Sequence, residues 1–162
     1  MATKVYIARE TPTVWSDSAG DLVLTLNALG VGAGRIGARK DLGAGSTSYQ
    51  YSWRFTCQFD TAPVVGEVVN LYLCTSDGTS PDGELGAADA ALAAEDKIKN
   101  LYHIGNLIVD VATENIDFTS SGVCTIPTRY VSPVVWNNTA DILQATNDTG
   151  EFTLTPIPFE SQ

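Results

Sequence analysis

Residues 49–59 constrain this chain more than any other stretch. Tyr49, Tyr51, Trp53, Phe55, Cys57 and Phe59 alternate with Gln50, Ser52, Arg54, Thr56 and Gln58. Successive side chains of a strand point to opposite faces, so a period of two over this length specifies a long β-strand with one apolar and one polar face. Aromatic side chains favour such pleated, half-buried surfaces. The odd-numbered set is expected to face a core.

Further strands are predicted at 21–27, 67–75, 100–110, 115–119, 123–126, 130–136 and 151–155. Residues 120–122 read as a turn between two of them. Gly105 marks a bulge or bend, and Pro133 an edge strand or a bulge. Residues 87–99 are alanine-rich, with Lys97 and Lys99 near the end but a thin apolar face, and predict one short surface helix or a loop. Strands without crossover helices between them imply antiparallel sheets. The expected fold is all-β: an antiparallel β-sandwich, jelly-roll-like, with an N-terminal arm. Residues 30–48 hold six of the fourteen glycines and read as a mobile connector. The expected division is therefore 1–48, an arm or docking segment, and 49–162, the sandwich.

Charge is unevenly spread. Residues 1–54 carry six Lys and Arg against four acids (+2), and residues 55–162 carry three against fifteen (−12), for a net charge of −10. Phosphate backbones repel a body this acidic, so nucleic acid is not an expected partner. No apolar run approaches the roughly 20 residues of a membrane span. The N-terminus lacks the apolar stretch of a secretory signal, and a soluble protein is expected.

Catalytic patterns are weak. Residues 32–37 match GxGxxG, but two more glycines follow within two turns, where a dinucleotide site needs a helix. His103 is the single histidine and falls in a strand pattern, which leaves no ordinary triad to assemble. Asp77, Asp82 and Glu84 occupy a Gly-rich turn without the ligand order of a calcium loop. Cys57, Cys74 and Cys124 form no CxxC pair and read as reduced core thiols. The expectation is a non-enzymatic protein with no cofactor and no metal. Trp136, before Asn137, Asn138 and Thr139, reads as partly exposed and leaves a carbohydrate-stacking role open.

The stretches SWRFTCQFDTAPVVGEVVNLYLCTSDGTSPDGELG, RYVSPVVWNNTADIL and EFTLTPIP resemble small virion proteins of tailed bacteriophages, including phages of cyanobacteria and marine bacteria. The likeness spans roughly residues 49–159, and the phage chains it points to look like head-decoration (cement) proteins. It implies a chain made in the host cytoplasm and carried on the capsid exterior. It also implies a jelly-roll-like body, homotrimers, and an N-terminal arm on the major capsid protein. The alternative is a carbohydrate- or receptor-binding module of a tail appendage. From the charge split, the expected partner contacts are Lys4, Arg9, Arg35, Arg39 and Lys40, with apolar anchors Val5, Tyr6, Ile7, Val14 and Trp15.

Overall fold

The computed structural model describes residues 11–44, 48–79, 81–92, 94–146 and 148–157. Their strands are β1 (Thr13–Ser16), β2 (Leu22–Val23), β3 (Ala33–Ile36), β4 (Lys40–Asp41), β5 (Gln50–Cys57), β6 (Val68–Ser76), β7 (Ala90–Leu92), β8 (Tyr102–Ile108), β9 (Phe118–Thr125), β10 (Tyr130–Asn138) and β11 (Glu151–Ile157). One sheet has the order β2-β1-β11-β5-β9 and the other β7-β3-β10-β6-β8, with β4 beside β10. The eight strands of four or more residues pair first with last and inward from there: β1 with β11, β3 with β10, β5 with β9, β6 with β8. All four pairings are antiparallel. A long antiparallel ladder rolled up in this way is a jelly roll.

Between the sheets lies the core that the alternation in β5 anticipates. Tyr51, Trp53, Phe55, Cys57 and Phe59 are buried against Val69, Leu71, Leu73, Val135 and Leu154. Tyr49 breaks the pattern: it precedes the strand and is 59% exposed. Trp53 explains two glycines. A Cβ on Gly105 or Gly122 would lie 2.7 or 2.8 Å from its indole ring. Gly122 therefore sits in a continuous strand, where a turn was expected at 120–122. Gly105 borders a register shift between β6 and β8, the expected bulge.

The division at residue 48 does not separate two bodies. β1 and β3 are the first and second strands of the roll, and Trp15, Leu24, Leu26 and Leu29 belong to the main core. The 21–27 strand shrinks to β2, but its leucines 24 and 26 stay buried. Two glycines read as a connector serve close packing instead. A Cβ on Gly34 would lie 2.4 Å from the Trp136 ring, and one on Gly37 would lie 3.1 Å from Trp15 and Pro133. Residues 1–10 and 45–47 of the expected arm lie outside the described residues. Pro133 is in an inner strand, where its carbonyl accepts from Gly37 N (2.9 Å) in the interval between β3 and β4. Its missing N–H therefore falls where the neighbouring ladder is already interrupted.

The expected helix at 87–99 is instead β7 and a single 3-10 turn (Glu95–Ile98), preceded by another at Asp82–Glu84. A helix would present only a thin apolar stripe here. The irregular path lets Leu85, Ile98 and Leu101 join Ile36, Cys74, Val134 and Trp136 in a second core on the outer side of the β10-containing sheet. Over β3, β10 and the end of β6 that sheet is consequently buried on both faces, whereas β8 keeps an exposed face. The outer face of the β5-containing sheet is uncovered, with Gln50, Arg54, Thr119, Ser121, Val123 and Thr125 exposed.

Candidate docking surface

The roll has two chemically different ends. At one end β5, β8 and β10 begin and β6, β9 and β11 finish. At the other, the segments 17–32, 58–67, 109–117 and 139–150 join the strands. Those four segments contain Asp17, Asp21, Asp60, Glu67, Asp110, Glu114, Asp117, Asp141 and Asp148 and no Lys or Arg. At the first end, segments 37–49 and 126–129 carry Arg39, Lys40 and Arg129 against Asp41, while the third connection, 77–101, carries six acids and two lysines. The two ends are termed here the basic and the acidic end.

At the basic end Tyr130, the first residue of β10, organises the cations. The Arg129 guanidinium lies 5.1 Å from its ring centroid and that of Arg39 5.9 Å, within cation–π range. Arg129 also donates to both carboxylate oxygens of Asp41, at 2.7 and 2.6 Å. These bonds, with one from Gly43 N, lower the Asp41 pKa to about 2. Lys40 is half-buried in β4, paired with Val131. Two depressions flank the 126–129 loop. One of about 170 Å³ is lined by Leu42, Tyr49, Ile126 and Arg129 among others, and one of about 320 Å³ by Thr75, Tyr102, Thr125 and Pro127. Tyr49 and Tyr102 are 59% and 46% exposed there. The chain enters β1 from this same end, since Thr13 pairs with Leu154 and Ser16 with Glu151.

Of the residues expected to contact a partner, Arg39 and Lys40 meet at this surface. Lys4, Val5, Tyr6, Ile7 and Arg9 lie outside the described residues. Val14 is half-buried, and its N–H donates to Asp21 (3.0 Å). Trp15 is not a surface anchor: it is fully buried, its Nε1 donates to Ala38 O at 2.7 Å, and its ring meets Phe152 edge-on. Arg35 is engaged within the chain, forming a two-point ion pair with Asp89. Asp89 also accepts from Thr25 N and Oγ1 at 3.0 and 2.9 Å. Partial burial opposes its ionisation, but the Arg35 and Thr25 bonds prevail and hold its carboxyl below the ordinary value. This clasp fastens the 77–101 excursion to the β2–β3 connection. The sequence reading missed Arg129, Tyr49 and Tyr102. The available signal was Arg129 itself, one of three cations after residue 54.

The other chemical candidates resolve into structural roles. Trp15, Trp53 and Trp136 are all buried, at 0, 4 and 6% exposure, so Trp136 offers no stacking platform. His103 Nε2 bonds Asn106 Oδ1 at 2.7 Å on the exposed face of β8. Asp82 accepts from Thr75 N (3.0 Å), and Asp77 from Thr79 N (2.8 Å), closing their own turn. Gly34 of the GxGxxG match lies in β3, with no helix after it. The three cysteines are buried and free. Burial pushes the Cys74 and Cys124 thiols up to about 11, and that of Cys57 further, away from thiolate chemistry. Among the described residues no three His, Cys, Asp or Glu side chains converge on a metal-sized site. No helix there is long and apolar enough to cross a membrane. No protein-family model and no curated protein sequence matches the chain.

Proposed function

We propose that this chain is a non-catalytic structural virion protein that docks on the outer capsid surface through its basic end and reinforces the shell. One observation carries the reading. The cations Arg39, Lys40 and Arg129 and the exposed tyrosines 49 and 102 collect at the end from which the chain enters β1. Tyr and Arg are the residue types that dominate interface energetics. The resemblance to phage decoration proteins supplies the partner, the major capsid protein, and a homotrimeric state. Exposed ion pairs contribute under ~1 kcal/mol each, so the tyrosines and multivalent attachment of a trimer provide most of the affinity.

The test is binding to capsid shells stripped of this protein. The double variant Arg39→Glu/Lys40→Glu is expected to bind at least ~10-fold more weakly while keeping its fold, because neither half-buried side chain belongs to either core. Unchanged binding would reject docking through this end. Light scattering of the free protein tests the trimer, and a monomer both free and on the shell would rule it out.

A further inference from the structure

The acidic end is not merely a solvated, charged surface. Val64 and Val65 in the β5–β6 loop, Val111 and Ile116 in the β8–β9 loop, and Ile142 in the β10–β11 loop are all exposed, from 37% at Ile116 to 57% at Val65. These are five of the eleven large apolar side chains that the described residues leave exposed. Soluble proteins seldom gather exposed aliphatics beside charges unless the surface meets something.

These loops are held together. Asp60 N donates to Ile142 O at 3.0 Å, Asn115 N to Phe59 O at 3.2 Å and Gly66 N to Val109 O at 2.8 Å. Thr61 Oγ1 donates to Asp141 Oδ1 at 2.7 Å, and Ala140 N to Glu67 Oε2 at 2.7 Å. Phe59 and Phe118 stack edge-to-face beneath them at 5.2 Å. Behind the loops, fully buried Asn137 donates through Nδ2 to the carbonyls of Leu29, Gly30 and Asp141. A surface fixed in this way loses little entropy when it binds.

We propose that the acidic end is a second docking surface, for a partner protein segment in which lysines or arginines alternate with aliphatic side chains. Charge complementarity selects this occupant. Asp60, Asp110, Glu114, Asp117 and Asp141 stand among the aliphatics, and the same loops contain no cation to neutralise them. A neutral apolar segment would leave those carboxylates facing apolar surface, and an acidic one would be repelled. A strand-like segment with alternating cations and aliphatics satisfies both chemistries. The inference is independent of what the basic end binds, and it makes the sandwich two-ended.

The probe is a capped decapeptide of alternating lysine and valine, titrated onto the full chain by fluorescence anisotropy, with a lysine–serine decapeptide as control. The lysine–valine peptide is expected to bind saturably and the control at least ~10-fold more weakly. Val64→Ser/Val65→Ser is expected to weaken binding ~10-fold at unchanged net charge, and Lys40→Glu to leave it intact. Ile116→Ser/Ile142→Ser, on the other two loops, reads the same surface should the valine variant fail to fold. Equal binding of both peptides, or no effect of the aliphatic variants, would overturn the proposal by reducing the end to a diffuse counter-charge. Concentration-dependent self-association, lost in both Lys40→Glu and Val64→Ser/Val65→Ser, would overturn it in favour of a second copy of this chain. Failure of capsid binding in the Arg39→Glu/Lys40→Glu variant bears only on the basic end.

Discussion

The two ends of this sandwich terminate the same strands but are built by different means. At the acidic end the connections bond to one another over a buried asparagine, so side-chain amide and backbone groups hold the loops. At the basic end one connection, 77–101, starts with Gly78 against Tyr130 and then crosses to cover the outer face of the β10-containing sheet with its own small core. There, surface pairs do the organising: Arg129 with Asp41, and Arg39 and Arg129 with Tyr130. The lesson is that the charge asymmetry of the chain becomes a spatial axis only because jelly-roll winding brings segments distant in sequence to the same end. Arg129 and Asp41 are paired across 88 positions.

The largest perturbation should ignore the distinction between ends. Trp53→Ala is expected to cost about 3–5 kcal/mol in urea denaturation, because the indole fills the space that Gly105 and Gly122 leave open between the sheets. A cost below ~1 kcal/mol would mean that this packing does not hold the two sheets together. Next, Asn137→Ala should separate the ends. It strands buried carbonyls, for a cost of about 2–3 kcal/mol. Hydrogen exchange should accelerate around residues 29–30 and 139–141 and not around 126–131. Equal acceleration at both ends would show that they are not independently held.

A smaller effect is expected for Asp89→Ala, about 1–2 kcal/mol. It leaves Arg35 unpaired, but that side chain keeps 25% of its exposure and can rehydrate. Proteolysis should then favour the 77–101 segment. The smallest effects concern pH. Asp148, at the acidic end, is lowered to about 2, chiefly by the Ser18 hydroxyl, then by the N–H groups of Ser18 and Ala19. Asp41 is lowered to about 2 at the basic end. Each folded-state value lies below the ordinary carboxylate value, so each contribution is fully present above about pH 4 and is lost as pH falls through 2. Asp148→Asn and Asp41→Asn should each flatten the decline of Tm between pH 4 and 2. Asn suits the positive φ of 62° at position 148, so the backbone stays relaxed there. A decline as steep as that of the unmodified chain in both variants would show that neither carboxylate matters to acid stability.

Much of the fold was legible. The alternation of 49–59 gave the register of β5 because both its neighbours in the sheet are strands and one of its faces is a core. Tyr49 escaped because periodicity says nothing about where a strand begins. The glycines misled for a related reason. Composition reads Gly34 and Gly37 as flexibility, whereas the folded chain uses their missing side chains to bring backbone against Trp136, Trp15 and Pro133. The site was less legible. Charge alone singles out Lys40 and Arg39, which the fold places together at the candidate surface. Trp15 and Arg35 were misread because their partners, Ala38 and Asp89, are brought to them by tertiary structure that local sequence does not encode. The fixed aliphatic surface of the acidic end depends on cross-loop hydrogen bonds and leaves no periodic trace.

The claim that one end docks and the other projects is tested most directly by hydrogen exchange of the protein bound to capsid shells, compared with the free protein. Protection is expected at residues 39–43 and 126–131, with 58–67 and 109–117 exchanging as in the free state. Protection confined to 58–67 and 109–117 would contradict the claim and turn the molecule over on its partner.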